Sequence, residues 1–207
     1  GKEEAKPSCY TGSMTPFPLE IIHKGKKGGL VVAALPGDLL TPVSAYMALS
    51  GEGPSFLLES VERGEKLGRY SFVGADPDGV LLCEGGTSRY LPSGGGAEED
   101  VHNPDPSRAL EKVLRPRRRK AVPGPNLPPF LGGAVGFFAY EAVRYWERFP
   151  EPSPSRKAWP DGLFMMTNLL VAFDHLAQKV FLSARGKDAL KTLTRAGAKL
   201  SKGTALA

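Results

Sequence analysis

Apolar stretches of strand length recur in this sequence in pairs, each pair joined by a short turn, and that pairing limits the fold more than any other feature. Residues 80–84 and 87–91 flank Gly85-Gly86, a dipeptide that reaches the left-handed backbone region a two-residue hairpin needs. Residues 169–173 and 179–182, joined by Asp174-His175-Leu176-Ala177-Gln178, form the clearest hairpin. Residues 69–73 alternate, with Tyr70 and Phe72 on one face. Residues 56–60 are a short apolar run, and residues 132–138 are a glycine-rich strand candidate leading into a helical turn near 141–146. A doubly wound parallel sheet needs a helical crossover after nearly every strand, and helices here are few. The pattern predicts an α+β fold, with antiparallel β-sheets packed face to face and helices on the outside.

Three helices are predicted. In Thr41-Pro42-Val43-Ser44-Ala45-Tyr46-Met47-Ala48-Leu49, Thr41 is an N-cap candidate and Pro42 takes the first helical position, where its missing N–H costs nothing. Val43, Tyr46 and Met47 share a face, and Gly51 is placed for a left-handed C-terminus. Asp105-Pro106 starts a second helix with Leu110, Val113 and Leu114 on its apolar face. A third, over 188–200, offers Leu190, Leu193 and Leu200 to a partner the chain barely supplies, a hint of truncation.

The 207 residues carry a net charge of +5. Much of the excess lies in Arg115-Pro116-Arg117-Arg118-Arg119-Lys120 and in Lys187, Lys191, Arg195 and Lys199. Basic runs can mark a nucleic-acid or anion-binding module. No aromatic residues interleave with the first run, and Pro116 and Pro123 bracket it as a solvated loop, so no nucleic-acid partner is expected. No apolar run approaches the roughly 18 residues of a membrane helix, and no membrane partner is expected. The polar N-terminus lacks a signal peptide's apolar stretch. Residues 1–14 read as a leader or extension, expected to be disordered. Of the two cysteines, Cys9 lies in that leader and Cys83 in an apolar run. They make neither a disulfide framework nor a metal site, and a reducing, cytoplasmic location is expected.

A search for catalytic chemistry finds none. His23, His102 and His175 are isolated and read as surface or structural. No cluster has metal-ligand spacing, and no nucleophile elbow, P-loop or dinucleotide fingerprint occurs. Gly132-Gly133 and Gly136 lack the Lys-Ser/Thr of a phosphate loop, so close backbone packing is the better reading. Glu62 and Glu65 read as solvated surface. Glu59-Ser60 ends an apolar strand. It can place a carboxylate and a hydroxyl at a pocket rim, or Ser60 can cap a turn through its own backbone; the residues alone leave both open.

Several segments, taken in order, carry a resemblance. They are Leu39-Leu40-Thr41-Pro42-Val43-Ser44-Ala45-Tyr46, Phe56-Leu57-Leu58-Glu59-Ser60-Val61-Glu62, Gly68-Arg69-Tyr70-Ser71-Phe72, Gly132-Gly133-Ala134-Val135-Gly136-Phe137-Phe138-Ala139-Tyr140-Glu141-Ala142-Val143-Arg144-Tyr145, and Pro160-Asp161 before the last hairpin. Over about residues 39–184 the chain resembles the N-terminal region of anthranilate synthase component I. The region of the related aminodeoxychorismate synthase is similar, though Gly68–Phe72 and the intact Leu57-Leu58-Glu59-Ser60 favour the former.

The resemblance implies a lyase that makes anthranilate and pyruvate from chorismate and ammonia, the ammonia supplied by a glutamine amidotransferase subunit. It implies Mg2+ and chorismate bound in a C-terminal half that this chain lacks. Residues 15–186 are then a regulatory domain, and 187–207 a tail leading into that half. Feedback inhibition by L-tryptophan is expected, with Leu58, Glu59 and Ser60 in its site and no catalytic residue in this chain. Arg69 and Tyr70 are further pocket or coupling candidates. Glu141 and Arg144 are further pocket or coupling candidates, expected to pack against the missing half; three apart on a helical turn, they can share one face and pair.

Overall fold

The computed structural model describes residues 18–25, 29–38, 40–59, 68–117, 126–148 and 159–204. In chain order the strands are β1 (Glu20–Lys24), β2 (Val31–Pro36), β3 (Phe56–Leu58), β4 (Tyr70–Ala75), β5 (Gly79–Glu84), β6 (Thr87–Pro92), β7 (Glu99–Asp100), β8 (Ala134–Phe138), β9 (Gly162–Met166), β10 (Leu169–Asp174) and β11 (Lys179–Ala184). The helices are α1 (Pro42–Leu49), α2 (Pro106–Leu114) and α3 (Ala189–Thr204), with a 3-10 segment at Tyr140–Tyr145. The expected leader and Arg118, Arg119 and Lys120 of the basic run lie outside the described residues.

The chain forms two compact units. One comprises residues 1–76, 126–132 and 168–207, the other residues 77–125 and 133–167. In the first unit a six-stranded sheet runs β1-β2-β11-β10-β4-β3, antiparallel at every junction. β10 is buried along its whole length and β11 along nearly all of it, which is why both read as continuous apolar runs. Alternate residues Val31, Ala33, Leu35, Val73, Val171, Phe173, Val180 and Leu182 face Ala45, Leu49, Leu193, Ala196 and Leu200 of α1 and α3. Burial of each large aliphatic side chain contributes about 1.5–3 kcal/mol.

The helices follow their signals in part. Thr41 caps α1: its hydroxyl accepts from the Ser44 amide at 3.1 Å, while Ser44 Oγ accepts from the Thr41 amide at 3.0 Å. The buried face, however, is Pro42, Ala45 and Leu49. Of the predicted stripe Tyr46 packs against the core, but Met47 is 74% exposed and Val43 49%, because the small Ala45 lets α1 lie close to its neighbours where the bulkier side chains would not. The helix ends at Ser50 in an extended conformation, with φ −62°, so Gly51 supplies no left-handed cap. α3 finds its partners within this chain, since Leu193 and Leu200 are fully buried in the same core as α1.

In the second unit a five-stranded antiparallel sheet runs β7-β6-β5-β9-β8. Gly85 and Gly86 turn the β5–β6 hairpin at φ 57° and 80°, as the dipeptide predicts. α2, capped by Asp105 through the Ser107 amide at 2.8 Å, places Ala109 and Val113 against Leu81, Cys83, Tyr90, Phe164 and Met166. At Gly136 in β8 a Cβ would lie 1.9 Å from the Leu163 carbonyl oxygen, so close backbone packing is the reason for this glycine. Two antiparallel sheets with few helices bear out the α+β expectation. No described helix is long and apolar enough to cross a membrane.

Candidate functional site

β3 is the edge strand of the first sheet, followed by β4 and then β10. Its pairing places Leu58 opposite Phe72, and β4 in turn places Tyr70 opposite Asp174. The end of β3, the start of β4 and the end of β10 therefore meet at one end of the sheet. Leu58 is 48% exposed and Glu59, just past the strand, is exposed. Edge position explains that exposure, where the apolar run alone predicts burial. Ser60 lies outside the described residues.

Tyr70 and Phe72 project from the same face of β4. Their rings stack with centroids 6.1 Å apart, and Phe130 meets Phe72 edge-on at 5.7 Å. Arg69 lies over the Tyr70 ring, 4.9 Å from its centroid. The same guanidinium grips Asp174 with both prongs, Nε to Oδ1 at 3.0 Å and Nη2 to Oδ2 at 2.7 Å. Asp174 is 3% exposed and Arg69 37%.

Burial pushes the Asp174 carboxyl up, but Arg69 and the Leu176 and Ala177 amides outweigh it and hold the group below 3.8. The hydrogen bond to Asp174 raises Arg69, against the effect of burial. Burial and the nearby Asp174 raise the Tyr70 phenol. With Asp174 already neutralised by Arg69, Glu59 is, among the described residues, a carboxylate at this end placed to meet a cation. Aromatic faces, an exposed leucine and a carboxylate can together hold a small amphipathic cation.

The other two candidates lie in the second unit. Glu141 is exposed and is not the partner of Arg144. Arg144 bonds Asp161 instead, Nη2 to Oδ1 at 2.5 Å, because a 3-10 segment spaces its side chains differently from the α-helical turn the pairing assumed. Asp161 Oδ2 accepts from the Gly85 amide and the Tyr145 hydroxyl, both at 2.9 Å, and Tyr145 Oη accepts from the Gly86 amide at 3.0 Å. This cluster ties a hairpin turn to a helical turn. Sequence reading missed Asp174, His175, Phe130 and Asp161 as partners, though Asp174 opens a hairpin turn and is a natural Asx-turn residue.

Among the described residues no three His, Cys, Asp or Glu side chains converge on a common point.

Residues 53–205 match the family model described as chorismate binding enzyme. The chain belongs to that family. Similar relatives within it include anthranilate synthase component 1 of Thermus thermophilus, 43% identical over 153 residues, covering 73% of this chain and 31% of the relative. The Synechocystis protein of the same name is 41% identical over 151 residues, 71% of this chain and 28% of the relative. A probable anthranilate synthase component 1 of Schizosaccharomyces pombe is 37% identical over 164 residues, 78% and 29%. The chain thus spans under a third of the length of these family members. The crystal structure of anthranilate synthase component I from Streptococcus pneumoniae TIGR4 matches at a TM-score of 0.49 and 25% identity, over 80% of this chain and 35% of that one.

Proposed function

We propose that this chain is the N-terminal, regulatory portion of an anthranilate synthase component I, and that the ends of β3 and β4 form its share of a feedback site for L-tryptophan. The complete subunit is a lyase converting chorismate and ammonia to anthranilate and pyruvate, with a glutamine amidotransferase as partner. Chorismate and Mg2+ are held by parts of the subunit that these residues do not include, and the chain alone turns over no chorismate. The observation that supports the reading is that Leu58, with Glu59 next along the chain, pairs with Phe72 on the strand that Tyr70 begins directly after Arg69, since the two motifs of the resemblance are separate in sequence. Glu59 faces the ligand's ammonium, and Leu58 with the Tyr70–Phe72–Phe130 rings offers surface to its indole.

The test is L-tryptophan titrated into the complete enzyme, with inhibition constant and melting temperature followed together. A ligand that binds only the folded state raises stability by about 2.7 kcal/mol at a hundred times its Kd. Glu59→Gln removes a charge-assisted hydrogen bond of about 1.5–3 kcal/mol, a loss of roughly ten- to a hundredfold in affinity. Ser60→Phe adds bulk beside it and is expected to give tryptophan resistance with turnover retained. Unchanged inhibition in both variants, each with a wild-type melting temperature, overturns the assignment. An oligonucleotide that stabilises the chain where tryptophan does not would favour the basic-module reading.

A further inference from the structure

We infer that the β10–β11 turn is the positioning element of this site, with Asp174 and His175 holding Arg69 and the start of β4 against the end of β10. The inference rests on reading that sheet end as the tryptophan site. Among the described residues β3 is tied to β4 by the register pairs Phe56–Gly74, Leu57–Val73 and Leu58–Phe72, and its far side is a sheet edge. The start of β4 is held quite differently. Asp174 Oδ1 accepts from the Leu176 and Ala177 amides at 3.1 Å, which shapes the turn, and from Arg69 Nε at 3.0 Å; Oδ2 accepts from Arg69 Nη2 at 2.7 Å. One buried carboxylate therefore both folds the turn and aims the guanidinium.

His175 adds two links. Its amide donates to the Arg69 carbonyl at 2.9 Å, and its Nε2 lies 2.8 Å from Ser71 Oγ. Its ring stacks on Phe173, centroids 6.4 Å apart. Backbone and side chain of Arg69, and the side chain of Ser71, are thus all fixed by one turn. Tyr70 lies between them and inherits that position. A ligand resting on Tyr70 and Phe72 is sensitive to any shift of the start of β4, because well-aligned contacts weaken over tenths of an ångström. Asp174 itself is buried and touches no ligand; it acts through Arg69.

The experiment measures L-tryptophan binding by calorimetric titration, and melting temperature, in the complete enzyme. Its members are the wild type, Asp174→Asn, Asp174→Glu, Ser71→Ala and the core control Leu193→Ala, whose side chain is buried in α3. Asp174→Asn is expected to weaken binding about tenfold or more, Asp174→Glu to recover part of that loss, and Leu193→Ala to lower the melting temperature while leaving affinity unchanged. Should Asp174→Asn fail to fold, Ser71→Ala decides, with a loss of several-fold expected. Equal affinity in Asp174→Asn and wild type, or an equal affinity loss in Leu193→Ala, overturns the inference while leaving the site assignment standing. Absence of tryptophan binding in the wild type overturns the site assignment, and the inference with it.

Discussion

Replacing Asp161 tests whether the Arg144 cluster is structural. The carboxylate is 2% exposed at its side chain and Arg144 27%. Asp161→Ala removes the acceptor of the Gly85 amide, the Tyr145 hydroxyl and the Arg144 guanidinium at once. Breaking one side of a fully buried ion pair costs roughly 3–5 kcal/mol. Water reaches part of Arg144 and recovers some of its solvation, which lowers the figure to about 2–4 kcal/mol. Arg144→Met leaves Asp161 with the Gly85 amide and the Tyr145 hydroxyl and is expected to cost less, about 1–3 kcal/mol. Urea unfolding followed by intrinsic fluorescence is the assay, because Trp146 and Trp159, the only tryptophans, both belong to the second unit. With a slope of about 1–3 kcal/mol per molar urea, the unfolding midpoint of the alanine variant should fall by roughly 0.7–4 M. A loss below about 1 kcal/mol for Asp161→Ala, or a larger loss for Arg144→Met, would refute the reasoning.

Other measurements bear on neighbouring parts. Gly136→Ala sets a methyl 1.9 Å from backbone oxygen of Leu163, whereas Gly74→Ala meets the Phe56 ring at 2.1 Å; the ring belongs to an edge strand and can turn away. The first should cost more than the usual 1–3 kcal/mol or so of overpacking and the second less, and equal losses in chemical denaturation would contradict this. Asp174 has a folded pKa below its ordinary 3.8, so it stabilises the fold above about pH 4, and that contribution is lost as pH falls through the lowered value. Acid unfolding of Asp174→Asn should show a shallower pH dependence there, and an unchanged slope counts against the pairing. Burial raises the Cys83 thiol, so in a Cys9→Ser background a thiol reagent should label it only on unfolding; rapid labelling of the native protein would show the site is open.

Hairpins and caps were legible in the sequence because they depend on a few adjacent residues. Gly85-Gly86 and Thr41-Pro42 dictate local geometry whatever surrounds them. The buried face of α1 was not legible, since the apolar stripe of Val43 and Met47 loses to the close fit of Ala45, a matter of what the helix packs against. Arg69 and Tyr70 were visible as candidates through resemblance, yet the partner of Arg69 lies 105 residues away, and only the strand order brings Asp174 beside it. Arg144 was paired with the nearer carboxylate because spacing along one turn is all a sequence displays. The register of β9 against β5 and β8, which delivers Asp161 to the Gly85 turn, has no local signature.

The interleaving of the two units bears on how such a chain is made. β2 and β4 are synthesised early, but the hairpin that joins them, β10–β11, follows the whole of the second unit. Until it emerges, each of these strands presents a bare row of amides and carbonyls on an apolar surface, the form of exposed edge that invites pairing with another chain. The second unit carries all its strands between Pro77 and Thr167 and can close its sheet as soon as they are out. Closure of the first unit pays the entropy of a loop containing an entire folded body, and a ribosome-bound chain stalled before Asn168 would be expected to aggregate through its first unit while its second was already native.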